Sequence, residues 1–572
     1  MMNRLRPIIL SLVVVAAGLL AYGLFTQPFP KPTDAEGFSA ARVVEDIEVL
    51  SRDHHSVAHP QERAAVREYL IGRLEELGAD TVMLFSYDSL VGPENKHVVY
   101  TFDAHNILAE FAPLDGPADV PYLMMVAHYD SRYSQPMPKD TVWSYGAADD
   151  GYGVGVTLET VSQLLKQRKD WKQGVKVLFT DAEEVGMMGM KAMWKNDKDV
   201  FSDVGLMINL EARGTYGPAL LFETCPGNEK IMDLYADAAR YPYTYSLTTV
   251  VYSFMPNFTD FTIVKDEIPG LNFSNIADIN HYHTDLDNFG NISEKTIQHY
   301  GAQVLPVALA YVTGDYQDKD AFRSEHDTVN FTIPGLGLFN FSKTLYMIIT
   351  VVIALVFFLL FGFEIIRGRL NAVKALKASG IVLILGVAVL AFGELVGYLG
   401  SLAAGARFKP FGIVAGVPFD NTAMIVSTLV MAIVSALIYM NIRRKAVRKT
   451  AASMRHSAGV TAASRNAFTV LYGTLFLMAV LSLVLVFALG ENLMFFIPLF
   501  FATLALILWH ATSLKVWLVA AIAFILLHAF SFLFALAMAL TIGAYGAVAM
   551  LAFFDLMVLI PLADLYLTER RK

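Results

Sequence analysis

The sequence predicts an α/β fold: a three-layer sandwich around a mixed, largely parallel sheet, joined to an α-helical multi-span membrane domain. Three observations carry this expectation. Between residues 40 and 312, short apolar runs alternate with segments of helical periodicity, the pattern of strands connected through helices. Long uncharged stretches are confined to 7–25 and most of 343–567. The apolar runs of the middle region end repeatedly in Asp, Glu or His, and α/β sheets form their sites outside the carboxyl ends of strands.

The 572 residues are 55% hydrophobic and only 17% charged, against about 45–50% and 25% in an ordinary soluble domain. The excess lies in the two apolar regions, while 36–340 has globular composition. The expected organisation is a cytoplasmic N-terminus (1–6), a transmembrane anchor (7–25), an extracytoplasmic domain (36–315), a linker (316–342), a membrane domain of about seven helices (343–567) and a cytoplasmic tail (568–572). The net charge of −9 gives no case for nucleic acid. One cysteine, Cys225, excludes an internal disulfide framework and favours a bacterial chain.

"PIILSLVVVAAGLLAYGLF" (7–25) follows Arg4 and Arg6 without a convincing cleavage site, so it reads as a retained anchor rather than a signal peptide. Further spans are expected at about 343–363, 379–400, 422–441, 468–488, 493–511, 515–534 and 539–563, eight in all. Basic residues test the count. Arg367, Arg369, Lys374 and Lys377 lie between spans two and three. Arg443, Arg444, Lys445, Arg448, Lys449, Arg455 and Arg465 lie between four and five, and Arg570, Arg571 and Lys572 end the chain. The positive-inside rule makes these segments cytoplasmic and puts 26–342 outside. A bacterial inner membrane with a periplasmic domain is favoured over a eukaryotic internal membrane; the sequons at Asn257, Asn272, Asn291, Asn330 and Asn340 also arise by chance in bacterial chains. Glu394, His528 and Asp555 fall inside expected spans, as functional groups or as interhelical hydrogen-bonding ones.

In the outer domain, 62–78, 153–168 and 293–312 have helical character, the last opened by a Ser cap. Strands are expected at 97–111, 121–131, 174–184 and 204–214. His128 and Asp130 close one strand, Glu183 and Glu184 another, and Glu211 a third; Asp149 and Asp150 open a helix, and His283 comes later in "NHYHTDLDN" (280–288). A strand-end Asp is often only a helix cap, and a loop His only a surface residue. Repetition argues for more. Converging carboxylates repel unless cations neutralise them, and imidazole plus carboxylate without thiolate suits zinc, with manganese or cobalt as alternatives. In the adjacent pair, one glutamate can bind metal while its neighbour stays free as a base. A zinc ion lowers the pKa of the water it holds to about 7, and an uncoordinated carboxylate can move that proton to a leaving amine.

The ordered motifs "HYD" (128–130), "GAADDGYG" (146–153), "EEVGMMG" (183–189), "NLE" (209–211) and "YHTDLD" (282–287) resemble the co-catalytic zinc peptidase family, which includes bacterial leucyl aminopeptidase, aminopeptidase Y and glutamate carboxypeptidase. "HSVAHPQERAAVREYL" and "NILAE" upstream are similar to family segments, so the likeness covers about 40–312. The following spans make the chain similar to the branch of endoplasmic reticulum metallopeptidase and vacuolar membrane protease. The resemblance implies a zinc-peptidase/phosphorylase-hydrolase-like fold and two zinc ions per chain. Asp149 would bridge them, His128 and Glu211 would complete one metal, and Glu184 and His283 the other. Glu183 would be the general base, and Asp130 would orient the His128 imidazole as a supporting carboxylate. Glu211 stands where many relatives have Asp, and Gly151–Tyr152 replaces a small residue and serine, which is expected to reshape the rim.

The function so implied is a membrane-anchored zinc exopeptidase acting on peptides in contact with a lipid bilayer, foremost an aminopeptidase. Alternatives are a carboxypeptidase or dipeptidase, a glutaminyl-cyclase-like enzyme, an inactive interaction module, or a transporter using Glu394, His528 and Asp555. Arg213 either binds a substrate carboxylate or pairs structurally with a nearby acid. Tyr252 and Tyr282 are the candidates for oxyanion donors. Oligomeric state is not readable from the residues.

Overall fold

A computed structural model describes residues 2–25, 28–92, 101–115, 119–133, 135–136, 141–253, 258–316, 318–410, 421–452 and 459–568. The sequon at Asn257, the basic residues Arg455, Arg570, Arg571 and Lys572, and 97–100 of the first expected strand lie outside the described residues. The chain divides into two compact units. One comprises Phe25–Thr332 and Gly337–Ser342; the other comprises Met1–Leu24, Ile333–Leu336 and Lys343–Lys572.

The first unit is built on a seven-stranded sheet. Its strands are β1 (Thr81–Val91), β2 (Thr101–Phe111), β3 (Tyr122–His128), β4 (Gly174–Thr180), β5 (Val204–Ala212), β6 (Tyr216–Thr224) and β7 (Gly270–Ala277). The spatial order is β1-β2-β4-β3-β5-β7-β6. The central strands β4, β3, β5 and β7 are parallel. The outer strands β2, β1 and β6 pair antiparallel. Every residue of β4, β5 and β7 is buried. A strand buried at every position has both faces covered, so the sheet is the middle layer of three. Helices Ala40–Leu50, Gly151–Leu165 and Glu294–Thr313 pack on one another beside it. Their facing side chains include Val43, Ile47, Val154, Leu158, Val304 and Val307, all buried in one core with the strands. Each such side chain contributes roughly 1.5–3 kcal/mol by leaving water.

Three strands of this sheet were not expected from the sequence. β1 is an edge strand with much of its length exposed, so it lacks a clean apolar face. β7 reads as polar because its asparagines are bonding groups. Asn272 Nδ2 donates to Glu223 Oε2 (2.9 Å) and Thr259 Oγ1 (3.0 Å). Asn275 Nδ2 donates to Gly214 O (2.6 Å) and Tyr216 O (3.1 Å). These side chains tie β7 to its neighbours where an ordinary strand would pack methyl groups. β6 opens on Gly217 and Pro218, which break the pattern before the apolar run.

The second unit is helical. Among the described residues seven helices are long and apolar enough to cross a membrane: Leu5–Gly23, Lys343–Ile366, Ala372–Ala403, Asn466–Leu489, Leu493–Thr512, Val516–Ala539 and Thr541–Leu567. The eighth span expected at 422–441 falls in the helix Asn421–Ala452. Among the described residues Val426–Asn441 is an apolar stretch of that helix, and the basic run from Arg443 follows it. Helix Lys343–Ile366 exposes Leu345, Ile348, Val352, Leu355, Leu359 and Phe363, a helical stripe suited to lipid rather than water. Helix ends are fastened by polar pairs. Tyr346 Oη donates to Asn492 Oδ1 (2.5 Å), His510 Nε2 lies 2.9 Å from Glu364 Oε1, and Lys515 Nζ caps the carbonyls of Leu565 (2.6 Å) and Tyr566 (3.0 Å). Glu394 sits where its helix meets Gly546, at which an added methyl would come within 2.3 Å of Leu390 O; small residues let membrane helices approach this closely. His528 stacks on Phe532 with centroids 5.6 Å apart.

One core hydroxyl joins the sheet to the strand-end residues. Tyr300 Oη donates to Glu211 O (2.6 Å) and accepts from Asn275 N (2.5 Å). Tyr300→Phe is expected to cost about 1–2 kcal/mol, the price of an unpaired buried N–H, read as a lowered melting temperature of the full chain in detergent. An unchanged melting temperature would remove this role.

Candidate metal centre

The parallel strands bring their carboxyl ends to one edge, and each central strand delivers polar groups there. His128 is the last residue of β3. Glu183 and Glu184 follow β4, Glu211 is the penultimate residue of β5, and His283 lies in the tight turns that follow β7. Asp149 comes from the loop preceding helix Gly151–Leu165.

All five expected ligand residues meet. His128 Nε2 lies 3.3 Å from Asp149 Oδ1 and 3.7 Å from Glu211 Oε2. His283 Nε2 lies 3.3 Å from Asp149 Oδ2 and 3.2 Å from Glu184 Oε2. The two oxygens of Asp149 therefore face different imidazoles. Within each of the sets His128–Asp149–Glu211 and Asp149–Glu184–His283, the candidate ligand atoms lie within 4.8 Å of one another. Glu184 Oε1 is buried with no hydrogen-bond partner. A donor set of imidazoles and carboxylates, with a carboxylate oxygen left unmatched, fits zinc.

The supports explain how like charges are held so close. Asp287 accepts from Ala148 N (2.7 Å), Asp149 N (3.3 Å) and Ser144 Oγ (2.9 Å), which fixes the loop bearing Asp149. The next residue, Asp150, is a helix cap, accepting from Gly153 N at 3.0 Å. A side chain at 153 would come within 2.2 Å of that carboxylate. The two adjacent aspartates thus divide the cap and the centre between them, across a cis peptide. His283 has φ of 61°, a left-handed conformation uncommon outside glycine, and stacks on Tyr282 at 3.6 Å between centroids.

Asp130 acts differently from expectation. The Nδ1 of His128 donates to the backbone carbonyl of Asp130 (3.0 Å), while the Asp130 carboxylate is 3.7 Å away. That carboxylate instead accepts from the N–H groups of Glu183 (2.9 Å) and Glu184 (3.3 Å). It orients the glutamate pair more directly than the imidazole. The pair then diverges. Glu184 is held by His283 and by Arg132, whose Nη1 donates to Glu184 Oε2 (3.0 Å) and Glu184 O (2.7 Å). Among the described residues nothing hydrogen-bonds the Glu183 carboxylate. Glu211 Oε1 accepts from Asn209 Nδ2 (3.1 Å).

The electrostatics record a surplus of negative charge. Burial, then the neighbouring carboxylates, pushes Glu183 well above the usual range. Glu211 is pushed up to about 8 and Asp130 to about 7, chiefly by burial. Burial would also raise Glu184, but His283 and Arg132 pull it far below the carboxylate range. Burial would lower His128, but the hydrogen bond and charge of Asp149, with Asp150 and Glu211, raise it well above the ordinary imidazole value.

Several contributors carried no sequence signal of their own. Asp260 opens a short helix, hydrogen-bonds Thr180 Oγ1 and adds charge beside Glu183 and Glu211; nothing in "NFTDF" marks it. Arg132 lies two residues past "HYD" and could have been noticed only for its position. Asp287 ends the quoted "YHTDLD" motif, but its role depends on a loop 138 residues earlier. Tyr152, expected at the rim, is fully buried. Its hydroxyl donates to Thr215 O (2.7 Å) and accepts from Ser293 N (2.7 Å), so it pins the core beneath the site.

The fold and these donor sets define a candidate metal centre. Residues 106–308 match the model of peptidase family M28. The chain is 26% identical over 289 residues to endoplasmic reticulum metallopeptidase 1 of Mus musculus, covering 50% of this chain and 30% of that protein. It is 26% identical over 260 residues to a vacuolar membrane protease of Candida dubliniensis, covering 44% of this chain and 26% of that protein. The matched stretch thus spans less than a third of the length of these relatives. Among solved structures, a Zn-dependent exopeptidase from Parabacteroides distasonis aligns at 20% identity and a TM-score of 0.37, covering 49% of this chain and 99% of that one.

Supporting groups of metal ligands typically govern affinity by about 10–100-fold. Asp287→Ala, which frees the Asp149 loop, is expected to weaken zinc retention by about that factor, measured by titration against a competing chelator. Unaltered retention would show that the loop holds itself.

Proposed function

We propose that the chain is a membrane-anchored exopeptidase holding two zinc ions, most directly an aminopeptidase that removes N-terminal residues from peptides on the extracytoplasmic side. The observation that carries this reading is the Asp149 carboxylate shared between two donor sets, with the unbonded Glu183 beside them.

In this reading His128, Asp149 and Glu211 hold one zinc, and Asp149, Glu184 and His283 the other. Zinc bound there supplies Lewis acidity toward the scissile carbonyl and makes water acidic enough to ionise near neutral pH. The protein's own groups do the rest. Glu183 takes the proton of the attacking water and gives it to the leaving amine. Its carboxylate is free for this because the backbone, through Asp130, positions it without occupying its oxygens. His128 stays oriented by the Asp130 carbonyl, and Arg132 holds Glu184 toward His283. Tyr282, stacked on His283, is the candidate donor to the developing oxyanion. Free-amine recognition is what the resemblance to the co-catalytic zinc aminopeptidases implies for this site.

The membrane assignment rests on the apolar helices and the basic residues at their ends. Counting helix Asn421–Ala452 as a crossing, the basic segments fall on one side, and the peptidase domain on the other, as in a bacterial inner membrane with a periplasmic domain.

The test uses the zinc-loaded full chain and one peptide in free, N-acetylated and C-amidated forms, with products followed by mass. Sequential N-terminal trimming, blocked by acetylation, is expected, and Glu183→Gln should lower it by about 10²–10⁴-fold while metal content is kept. Trimming blocked by amidation would replace the aminopeptidase reading with a carboxypeptidase. No turnover in protein shown to hold two metals would reject general exopeptidase action. Metal analysis of the same protein should give two zinc ions per chain, and Asp149→Ala should lose both; loss of only one would remove the bridging role.

A further inference from the structure

Arg213 lies two residues beyond Glu211, where β5 ends and the chain turns into β6. The backbone there is clamped against β7. Arg213 N donates to Asn275 O (3.1 Å). Gly214 has φ of 135°, and a side chain on it would come within 2.1 Å of Ala277 O. The arginine therefore cannot swing with its backbone, and β7 is the strand that leads on to His283.

Among the described residues its guanidinium makes no ion pair. Nη2 is buried without a hydrogen bond. The other arginines of this unit that reach inward behave differently. Arg63 Nη1 pairs with Asp181 at 3.1 Å, Arg132 with Glu184 at 3.0 Å and Arg42 with Glu159 at 2.6 Å. The structural ion pair that the sequence allowed for Arg213 is not formed.

The groups whose charge bears on Arg213 are the hydroxyls of Tyr252 and Tyr282. The Tyr252 hydroxyl is likewise buried with no hydrogen-bond partner. Tyr282 stacks on His283, and both tyrosines feel the charge of Glu183. Beside a centre rich in acceptors, Arg213 and Tyr252 thus bring buried donor groups that no acceptor meets among the described residues. An unpaired buried guanidinium is costly to keep, and its fork of N–H groups matches a carboxylate.

We infer that Arg213, with the Tyr252 hydroxyl beside it, binds a carboxylate of the substrate, so that the site selects peptides carrying a negative charge near the scissile bond. The inference rests on the peptidase reading and names the substrate class of that same site. The carboxylate has two sources, the C-terminus of a dipeptide or an acidic side chain, and the chemistry of recognition is the same.

The experiment compares Ala-Ala with Ala-Ala-amide, Ala-Glu-amide with Ala-Gln-amide, and Glu-Ala-amide with Gln-Ala-amide, using the zinc-loaded full chain. A site built to bond a charged group should favour the acid over its amide in at least one pair by about tenfold or more in kcat/KM. Arg213→Met should bring that ratio to within about twofold of unity while changing turnover of the amides by less than about threefold, with Arg213→Lys between. A preference in the first pair identifies the C-terminal carboxylate; a preference in the others identifies the side chain. Equal turnover of acids and amides by the unmodified chain overturns the inference. So does a ratio that survives Arg213→Met, or an equal loss on all peptides. Affinities of the same peptides for the Glu183→Gln protein, measured by calorimetry, separate this from failure of the peptidase reading. An acid-over-amide preference that requires Arg213 upholds the inference even if nothing is cleaved, and equal affinities reject it.

Discussion

Carboxylates do not crowd together in a protein interior without something positive between them. Here Asp149, Glu184 and Glu211 converge within reach of two imidazoles, with Glu183, Asp130 and Asp260 close behind. Among the described residues Arg132 is the permanent cation bonded to this group. Burial raises Glu183, Glu211 and Asp130, and the carboxylates around them add to it. That constraint shapes the rest of the domain: the groups must be held against their repulsion until metal neutralises it.

The holding is done by backbone and by the sheet. Parallel central strands bring several carboxyl ends to one edge, so each ligand costs little extra chain. Asp287 ties the Asp149 loop from a distant turn, Asp130 ties the glutamate pair through its N–H groups, and Tyr300 ties the Glu211 carbonyl to β7. These are hydrogen bonds to main chain, which leave the ligand oxygens free. The adjacent pairs show the same economy. Asp150 caps a helix while Asp149 faces the centre, and Glu184 is bonded while Glu183 is not.

The five residues that converge were legible because each sits at the end of an apolar run or in a short local motif. The central strands β3, β4 and β5 were legible for the same reason. What was not legible depends on contacts distant in sequence. β7 hides its strand character behind Asn272 and Asn275, which bond sideways. Asp260 and Asp287 acquire meaning only from Thr180 and Ala148. Asp130 was expected to serve His128 through its carboxylate, and only coordinates could assign that task to its carbonyl. Tyr152 looked like a rim residue beside a ligand, yet the helix turns it into the core. Arg213 is the reverse case, since its significance lies in the absence of the ion pair that sequence allowed.

The central claim is that one carboxylate, Asp149, serves two metals. X-ray absorption at the zinc edge of the fully loaded chain tests it most directly. The account predicts nitrogen and oxygen neighbours only, with a zinc–zinc distance of about 3.5–4 Å. Spectra of a loaded protein with no zinc neighbour in that range would contradict a shared Asp149 and leave a single-metal site in its place.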